Sequence, residues 1–176
     1  MTQRITAVFV LCLFAYPSSG FAQATQVPVD HQQALTGSPL LGLAGFVVLE
    51  YERKISPSTT LGVVGAAYDF DAGRYRTARM LFRYYPQGAA LSGFFVGAQS
   101  GLYRFDDRPR VPSEVGVDAW DSSLGIGVDL GYNWLLGADR HFSIGLGLGL
   151  TRLFGRDAGE SEYFPTGRFI HMGVAF

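Results

Sequence analysis

The sequence predicts an all-β fold: a transmembrane antiparallel up-and-down β-barrel of eight strands that follows a cleaved signal peptide. Beyond about residue 40 the chain divides into alternating apolar and polar segments separated by turn signals, and no segment keeps a helical period. The apolar faces are about as long as the ~9–11 residues that a tilted strand needs to cross a bilayer. Aromatic residues collect near both ends of these faces, as they do where membrane proteins meet lipid headgroups.

The first 22 residues predict a secretory signal peptide. Arg4 provides a positive start, residues 5–16 form an apolar run, and small residues fit signal-peptidase cleavage after Ala22 or Ala24. The apolar run is too short to cross a bilayer as a helix. We therefore expect an exported chain in which residues 23–39 lead into the first strand and residues 40–176 form the barrel.

Composition excludes several classes of function. Cys12 is the one cysteine and lies within the signal peptide, so disulfides and thiol chemistry are not expected in the exported chain. The formal net charge of −1 at pH 7 gives no electrostatic footprint for nucleic acid. The three histidines are scattered and lack the spacing of a metal site, so no metal or other cofactor is expected.

Seven strands are predicted in the barrel region. The first three end at turn signals: Ser-Pro-Ser at 56–58, Asp-Ala-Gly at 71–73 and Pro-Gln-Gly at 86–88. The predicted strands are 45–54, 60–70, 75–85, 92–105, 122–136, 142–154 and 165–176. Because single-chain bacterial membrane barrels have an even number of strands, an eighth is expected at 32–41, although Pro39 interrupts that segment.

The strands 122–136 and 142–154 have the clearest two-residue period. One face of each carries large apolar residues, and the other carries mostly glycine and small polar residues. We assign the apolar face to lipid, because a soluble barrel would have to cover its exterior with glycine instead. The inward glycines leave room for large side chains opposite, and the candidates to fill the interior are Tyr75, Tyr85, Phe95, Tyr103 and Phe169.

The connections between strands differ in length at the two ends of the barrel. If the final strand ends at the periplasmic rim, the short connections 86–90 and 137–141 lie on the periplasmic side. The long, charged connections 106–121 and 155–164 then lie on the outer side, and only the short connection 71–74 departs from this pattern. The proline-rich, mixed-charge stretch 106–114 is interpreted as a solvated surface loop.

Aromatic residues on the apolar faces predict two girdles. The set near the periplasmic rim is Tyr51, Tyr84, Phe94, Tyr132, Trp134, Phe142 and Phe176. The set near the opposite rim is Tyr68, Phe70 and Phe154. Sorting by height of this kind is expected where ring bodies meet headgroups, and a soluble barrel has no reason to produce it.

Residue parity predicts a charged interior. The inward ionisable residues are Glu50, Glu52, Asp69, Arg79, Arg83, Asp129 and His171, with Gln99 and Asn133 as neutral partners. Buried charges persist only when they are paired, so we expect ion pairs between inward residues at similar distances from their turns. On this basis we predict pairs of Arg83 with Glu50 or Glu52, and of Arg79 with Asp129. A rigid plug of ion pairs is the preferred interpretation, and a path for protons or ions is the alternative.

The residues do not predict an enzyme. His141 and Ser143 lie on one face at the spacing of a catalytic dyad. However, they lie at the predicted periplasmic turn, away from the outer leaflet that holds lipid A, and no carboxylate is assignable beside them.

Several strand segments carry a family resemblance: Phe-Val-Val-Leu-Glu-Tyr-Glu-Arg at 46–53, Leu-Phe-Arg-Tyr-Tyr-Pro at 81–86, Gly-Phe-Phe-Val-Gly at 93–97 and Gly-Tyr-Asn-Trp at 131–134. With the terminal Phe176, they resemble small outer-membrane β-barrel proteins with the OmpA/OmpX-type architecture. The resemblance implies a location in the outer membrane of a Gram-negative bacterium, in contact with lipid and lipopolysaccharide. It also implies that the barrel assembly machinery reads Phe176, and it transfers no catalytic residues.

We therefore expect an integral outer-membrane barrel with a structural or surface-interaction role, its interior filled by side chains and ion pairs. Two alternatives stay open. One is a narrow pore or a small-ligand-binding barrel, and the other is a lipid A-modifying enzyme.

Overall fold

The computed structural model describes residues 30–70, 73–106, 121–154 and 162–176. The predicted signal peptide and its cleavage sites lie outside these residues, as do nearly all of the outer connection 106–121 and most of 155–164. Within the described ranges, eight antiparallel strands close into one barrel in sequential order. The elements are β1 (Gln33–Gly37), α1 (Pro39–Leu43), β2 (Phe46–Ser56), β3 (Thr59–Phe70), β4 (Gly73–Tyr84), β5 (Gly93–Asp106), β6 (Asp121–Leu136), β7 (Phe142–Phe154) and β8 (Glu162–Ala175).

Closure of the barrel depends on the pairing of β1 with β8. Ala34 lies opposite Ala175, and the backbone N–H of Phe176 donates to the carbonyl of Gln33 at 2.8 Å. Both ends of the barrel chain therefore lie at one rim, together with the connections 57–58, 85–92 and 137–141. We call this end the turn rim and the opposite end the loop rim. No helix among the described residues is long and apolar enough to cross a membrane.

The first strand is shorter than predicted. The segment 32–41 was expected to be one strand, but β1 ends at Gly37 and Pro39 begins the helix α1. Proline has no N–H to donate to a β-ladder, whereas its fixed φ suits the first turn of a helix. The barrel thus includes residues upstream of position 40, where its start was expected.

The two faces of each strand meet different environments. On β6, Ile126, Val128 and Leu130 project outward and are 53–61% exposed. On the same strand Asp129 and Asn133 project inward and are 9% and 2% exposed. This is the reverse of a soluble protein, in which apolar side chains are buried and charged ones are exposed.

Glycine on the inner face lets large rings enter the barrel. A Cβ added at Gly131 would lie 2.6 Å from Cζ of Phe95, which is fully buried. A Cβ at Gly125 would lie 2.9 Å from Cδ2 of Tyr103, which is also fully buried. Small residues on one wall therefore match aromatic residues on another, so that the narrow interior is filled.

A β-bulge changes the parity of β8. Gly145 lies opposite His171, but Gly147 lies opposite Arg168, so β8 has one extra residue between these pairs. Ile170 takes up the extra residue with a left-handed φ of 40°. The bulge turns Arg168 inward and Phe169 outward, where Phe169 is 56% exposed. The expectation that Phe169 fills the interior is therefore wrong.

The inner glycines predict a stability difference. Gly131→Ala should lower the free energy of unfolding by about 1–3 kcal/mol, because the new methyl group would overlap Phe95. Urea titration of the barrel refolded in lipid vesicles measures this change. Gly65→Ala is the matched control, since nothing lies within 4 Å of a Cβ at that outward position. Equal unfolding midpoints for the two variants would contradict the packing interpretation.

Candidate functional site: a charged network inside the barrel

A cluster of charged side chains fills the barrel cross-section at a level closer to the turn rim than to the loop rim. Its members project inward from four alternate strands. β2 contributes Glu50 and Glu52, β4 Arg83, β6 Asp129 and Asn133, and β8 Arg168 and His171. None of these side chains is more than about a tenth exposed.

Arg83 is the centre of the network. Its Nη1 donates to Oε1 of Glu50 at 2.6 Å and to Oε2 of Glu52 at 2.7 Å, and its Nε donates to Oδ2 of Asp129 at 3.0 Å. Its guanidinium also lies 4.4 Å from the centroid of the Phe95 ring. One cation thus binds three carboxylates from two strands while its flat face packs on an aromatic ring.

The remaining oxygens of the two glutamates are also bound. The Tyr85 hydroxyl donates to Oε1 of Glu52 at 2.7 Å, and the Thr60 hydroxyl donates to the same oxygen. Arg168 donates through Nε to Oε2 of Glu50 at 3.3 Å, and its Nη2 lies 2.9 Å from Oε1 of the same residue. Its Nη1 donates to the side-chain oxygen of Asn133. The charges therefore have the partners that burial requires.

The partner of Asp129 differs from the predicted one. Asp129 pairs with Arg83, whereas Arg79 donates to Oε1 of Gln99 at 2.7 Å. Arg83, Gly97 and Asp129 are consecutive partners across β4, β5 and β6, and the missing side chain at Gly97 leaves the space between them open. Strands in a barrel are staggered, so residues equally far from their turns do not lie at equal height.

Two residues near the loop rim also face opposite to expectation. Asp69 was predicted inward but is exposed on the outer face of β3, opposite Arg74 in the ladder. Tyr68 was predicted in the outer girdle but packs inside, its ring centroid 5.4 Å from that of Tyr75. The interior at this end is an aromatic cluster, so an aromatic residue there does not indicate lipid. The cluster consists of Tyr75, Tyr103, Phe105 and Leu153, with Tyr68 and Phe164 packed on it.

The predicted aromatic set near the turn rim lies on the outer face. Tyr84, Phe94, Tyr132, Trp134, Phe142 and Phe176 are 37–51% exposed. Tyr51 is partly buried, and its hydroxyl donates to Oε1 of Gln33 at 2.6 Å. At the loop rim Phe154 is exposed on the same face.

Among the described residues, Arg168 is a member of the charged network that the sequence did not indicate. Its position in the sequence suggests an outward side chain, because only the bulge at Ile170 turns it inward. The positive φ of Ile170 cannot be recognised from the sequence, because isoleucine is an ordinary residue in a strand. The signal available was indirect: a Cβ at Gly145 would overlap the Arg168 guanidinium, so the small residue on β7 marks a large one opposite.

The turn rim carries a second group of polar residues. The His31 and His141 rings lie 4.6 Å apart, and Nδ1 of His141 is 2.8 Å from the carbonyl oxygen of Ala175. Ser143 points inward and is 2% exposed, whereas His141 is exposed. Outside the strands, a hydrogen bond from Lys54 lowers the pKa of the exposed Asp30 carboxyl. In the part of the chain that the structure describes, no three His, Cys, Asp or Glu side chains are placed to hold a metal ion.

Comparisons with known proteins add one structural likeness. No protein-family model and no curated protein matches this chain. Among solved structures, it is similar to the N-terminal β-barrel domain of Pseudomonas aeruginosa OprF, with 14% sequence identity and a TM-score of 0.45. The alignment covers 82% of this chain and 96% of that domain. Similarity at this level does not indicate what the chain does.

Removing the central cation should destabilise the barrel. Arg83→Ala leaves buried carboxylates without their partner, so the free energy of unfolding should fall by about 3–5 kcal/mol. Urea titration in lipid vesicles measures the change. Arg152→Ala, on the outer face over Phe154, is the control and should change it by less than about 1 kcal/mol.

Single-channel conductance of the same two variants separates a plug from a path. If the network is a plug, conductance rises in Arg83→Ala together with the loss of stability, and Arg152→Ala behaves like the unchanged protein. A rise in conductance at full stability would contradict the structural plug.

Proposed function

We propose that this protein is an integral β-barrel of the Gram-negative outer membrane with a structural or surface-interaction role and no catalytic activity. The observation that carries the proposal is the inverted barrel: aliphatic side chains cover the outside while ion pairs fill the inside. The location, the partners and the lack of catalysis are all parts of this proposal.

The outer surface supports contact with hydrocarbon. Large aliphatic residues are about half exposed on most strands, for example Val63, Met80, Leu102 and Leu148 at 51–62%. Apolar surface in water costs about 25 cal/mol per Å², and soluble monomers rarely expose patches larger than a few hundred Å². A surface of this kind around a whole barrel is stable when lipid covers it. Closure satisfies the backbone groups that lipid cannot solvate along the paired length of each strand.

The interior supports a structural role more than a wide pore. An eight-stranded barrel is just wide enough for side chains to fill it. Arg83, Arg168 and their carboxylate partners span the space between β2, β4, β6 and β8. The aromatic cluster near Tyr103 occupies the other end.

The exposed ring of Phe176 supports assembly in the outer membrane. The Phe176 backbone is paired with Gln33, while its ring is 51% exposed on the outer face. A free aromatic ring on the last strand is what the barrel assembly machinery reads in the proteins that this chain resembles. The predicted signal peptide supplies export, and lipid with lipopolysaccharide would be the surrounding partners.

Location and topology can be tested together. In cells, the protein should fractionate with the outer membrane and migrate differently in gel electrophoresis before and after boiling, because folded barrels resist detergent. A protease site inserted at 113–114 should be cut in intact cells, whereas the same site in the turn 137–141 should be cut only after lysis. Protection of the first site would overturn the topology. A folded monomer in buffer without detergent would overturn the membrane location.

A further inference from the structure

The barrel wall has an opening between β2 and β8. β1 joins these two strands only as far as Gly37, which lies opposite Leu49 and Met172. Beyond that point, in the described part of the chain, residues 46–48 pair only with β3 and residues 162–171 pair only with β7. The helix α1 lies across the base of this gap and packs against both strands.

The local structure keeps the gap open. The Ser38 hydroxyl donates to the carbonyl of Phe169 at 2.8 Å and so satisfies one backbone group that β1 no longer reaches. The β8 bulge at Ile170 lies immediately beyond the end of the β1 ladder, and a bulge bends the strand that carries it. The opening is therefore part of the fold, and the hydrogen bond from Ser38 to Phe169 lies at its edge.

A cavity of about 260 Å³ lies behind the opening. Leu41, Phe46, Val48 and Phe169 line its side toward the gap, whereas Arg79 and His171 line its inner side. The lining thus changes from apolar at the wall to charged at the barrel axis. On the outside of the gap, Leu40 and Leu43 of α1 are 50% and 89% exposed.

Polar atoms in the cavity lack partners within the barrel. His171 is 2% exposed, and neither ring nitrogen makes a hydrogen bond to another described residue; its Nδ1 lies 3.7 Å from Oε2 of Glu50. Nε of Arg79 and Oδ1 of Asp129 are buried and unpaired as well. Among the described residues, no carboxylate lies within ion-pair distance of Arg79, whereas Arg83 and Arg168 both have one.

We propose that this cavity binds the anionic headgroup of a single-chain amphiphile, a phosphate or carboxylate that enters from the lipid through the gap. Arg79 supplies the cation that no carboxylate neutralises, and His171 supplies a polar ring. A headgroup hydroxyl, as in a phosphate monoester, would donate to the free Oδ1 of Asp129. The apolar chain would lie over Val48 and Phe169 and leave through the wall.

The size and charge of the site favour this ligand class. A volume near 260 Å³ lies below the usual range of small-molecule pockets, so it admits a headgroup while the apolar chain stays at the gap and outside the wall. Among the described residues that face this part of the interior, Arg79, Arg83 and Arg168 balance the carboxylates of Glu50, Glu52 and Asp129, so an anion meets no net negative charge there. The inference rests on the proposed function, because the gap faces hydrocarbon only if the barrel spans a membrane.

Binding can be measured on the purified barrel in a maltoside detergent. Dodecyl phosphate is the probe, and dodecanol and inorganic phosphate carry its chain and its headgroup separately. The dissociation constant for dodecyl phosphate should be at least tenfold lower than the dissociation constant for dodecanol or for inorganic phosphate. Arg79→Gln should raise it about tenfold or more, while Arg104→Gln, which is outward on β5, should leave it unchanged.

A second variant tests the route of entry. Val48→Trp should fill the mouth of the cavity and abolish binding, and the gel shift on boiling checks that each variant is folded. Inorganic phosphate binding as tightly as dodecyl phosphate would overturn the amphiphile assignment. Absence of binding, or equal affinities for Arg79→Gln and Arg104→Gln, would overturn the site itself. If the barrel lies in the outer membrane but binds nothing, this inference fails and the proposed function stands.

Discussion

The interior of this barrel depends on the burial of one guanidinium among three carboxylates. A charge that leaves water is destabilising unless opposite charges and hydrogen bonds replace its hydration. Arg83 meets this condition with Glu50, Glu52 and Asp129, and through Glu50 the network reaches Arg168 on β8. β-Ladders connect only neighbouring strands. The ion pairs connect strands across the barrel and fix its cross-section in a way that backbone pairing alone does not.

Glycine is the complement of this network. Gly97 lies between Arg83 and Asp129 in the strand register, and a Cβ there would lie 2.9 Å from Cγ of Arg83. Gly131 leaves space for the ring of Phe95, on which the Arg83 guanidinium packs. Glycine in a strand normally weakens it, because glycine gains no packing and loses more backbone freedom than other residues. Here this loss of stability is offset by the packing of the large side chains for which the glycines leave space. The inner face is therefore rich in glycine because it must enclose large charged and aromatic side chains.

The short first strand explains why a filled barrel still has an opening. Pro39 ends the β1 ladder, so backbone groups of β2 and β8 lose their partners on one side, and lipid offers no replacement hydrogen bonds. Ser38 satisfies one of these groups, and α1 covers part of the gap. The ionic network on one side and the aromatic cluster on the other leave a space between them, and the opening connects this space with the outer surface. A structural role and a lipid-facing binding site are therefore compatible in one fold.

The sequence by itself determined seven of the eight strands and most of the outward apolar faces, because side-chain alternation is a local property of extended chain. The similar distances of Arg83 and the β2 glutamates from their turns predicted that these residues lie close together. The sequence misplaced Asp69 and Tyr68, since the aromatic filling at the loop rim resembles a lipid-facing girdle in a one-dimensional pattern. Only the tertiary structure decided that Asp129 pairs with Arg83, because strand stagger sets which residues share a height. Only the tertiary structure shows that Arg168 points inward, since the left-handed residue Ile170 reverses the alternation of inward and outward side chains without changing the composition of the strand.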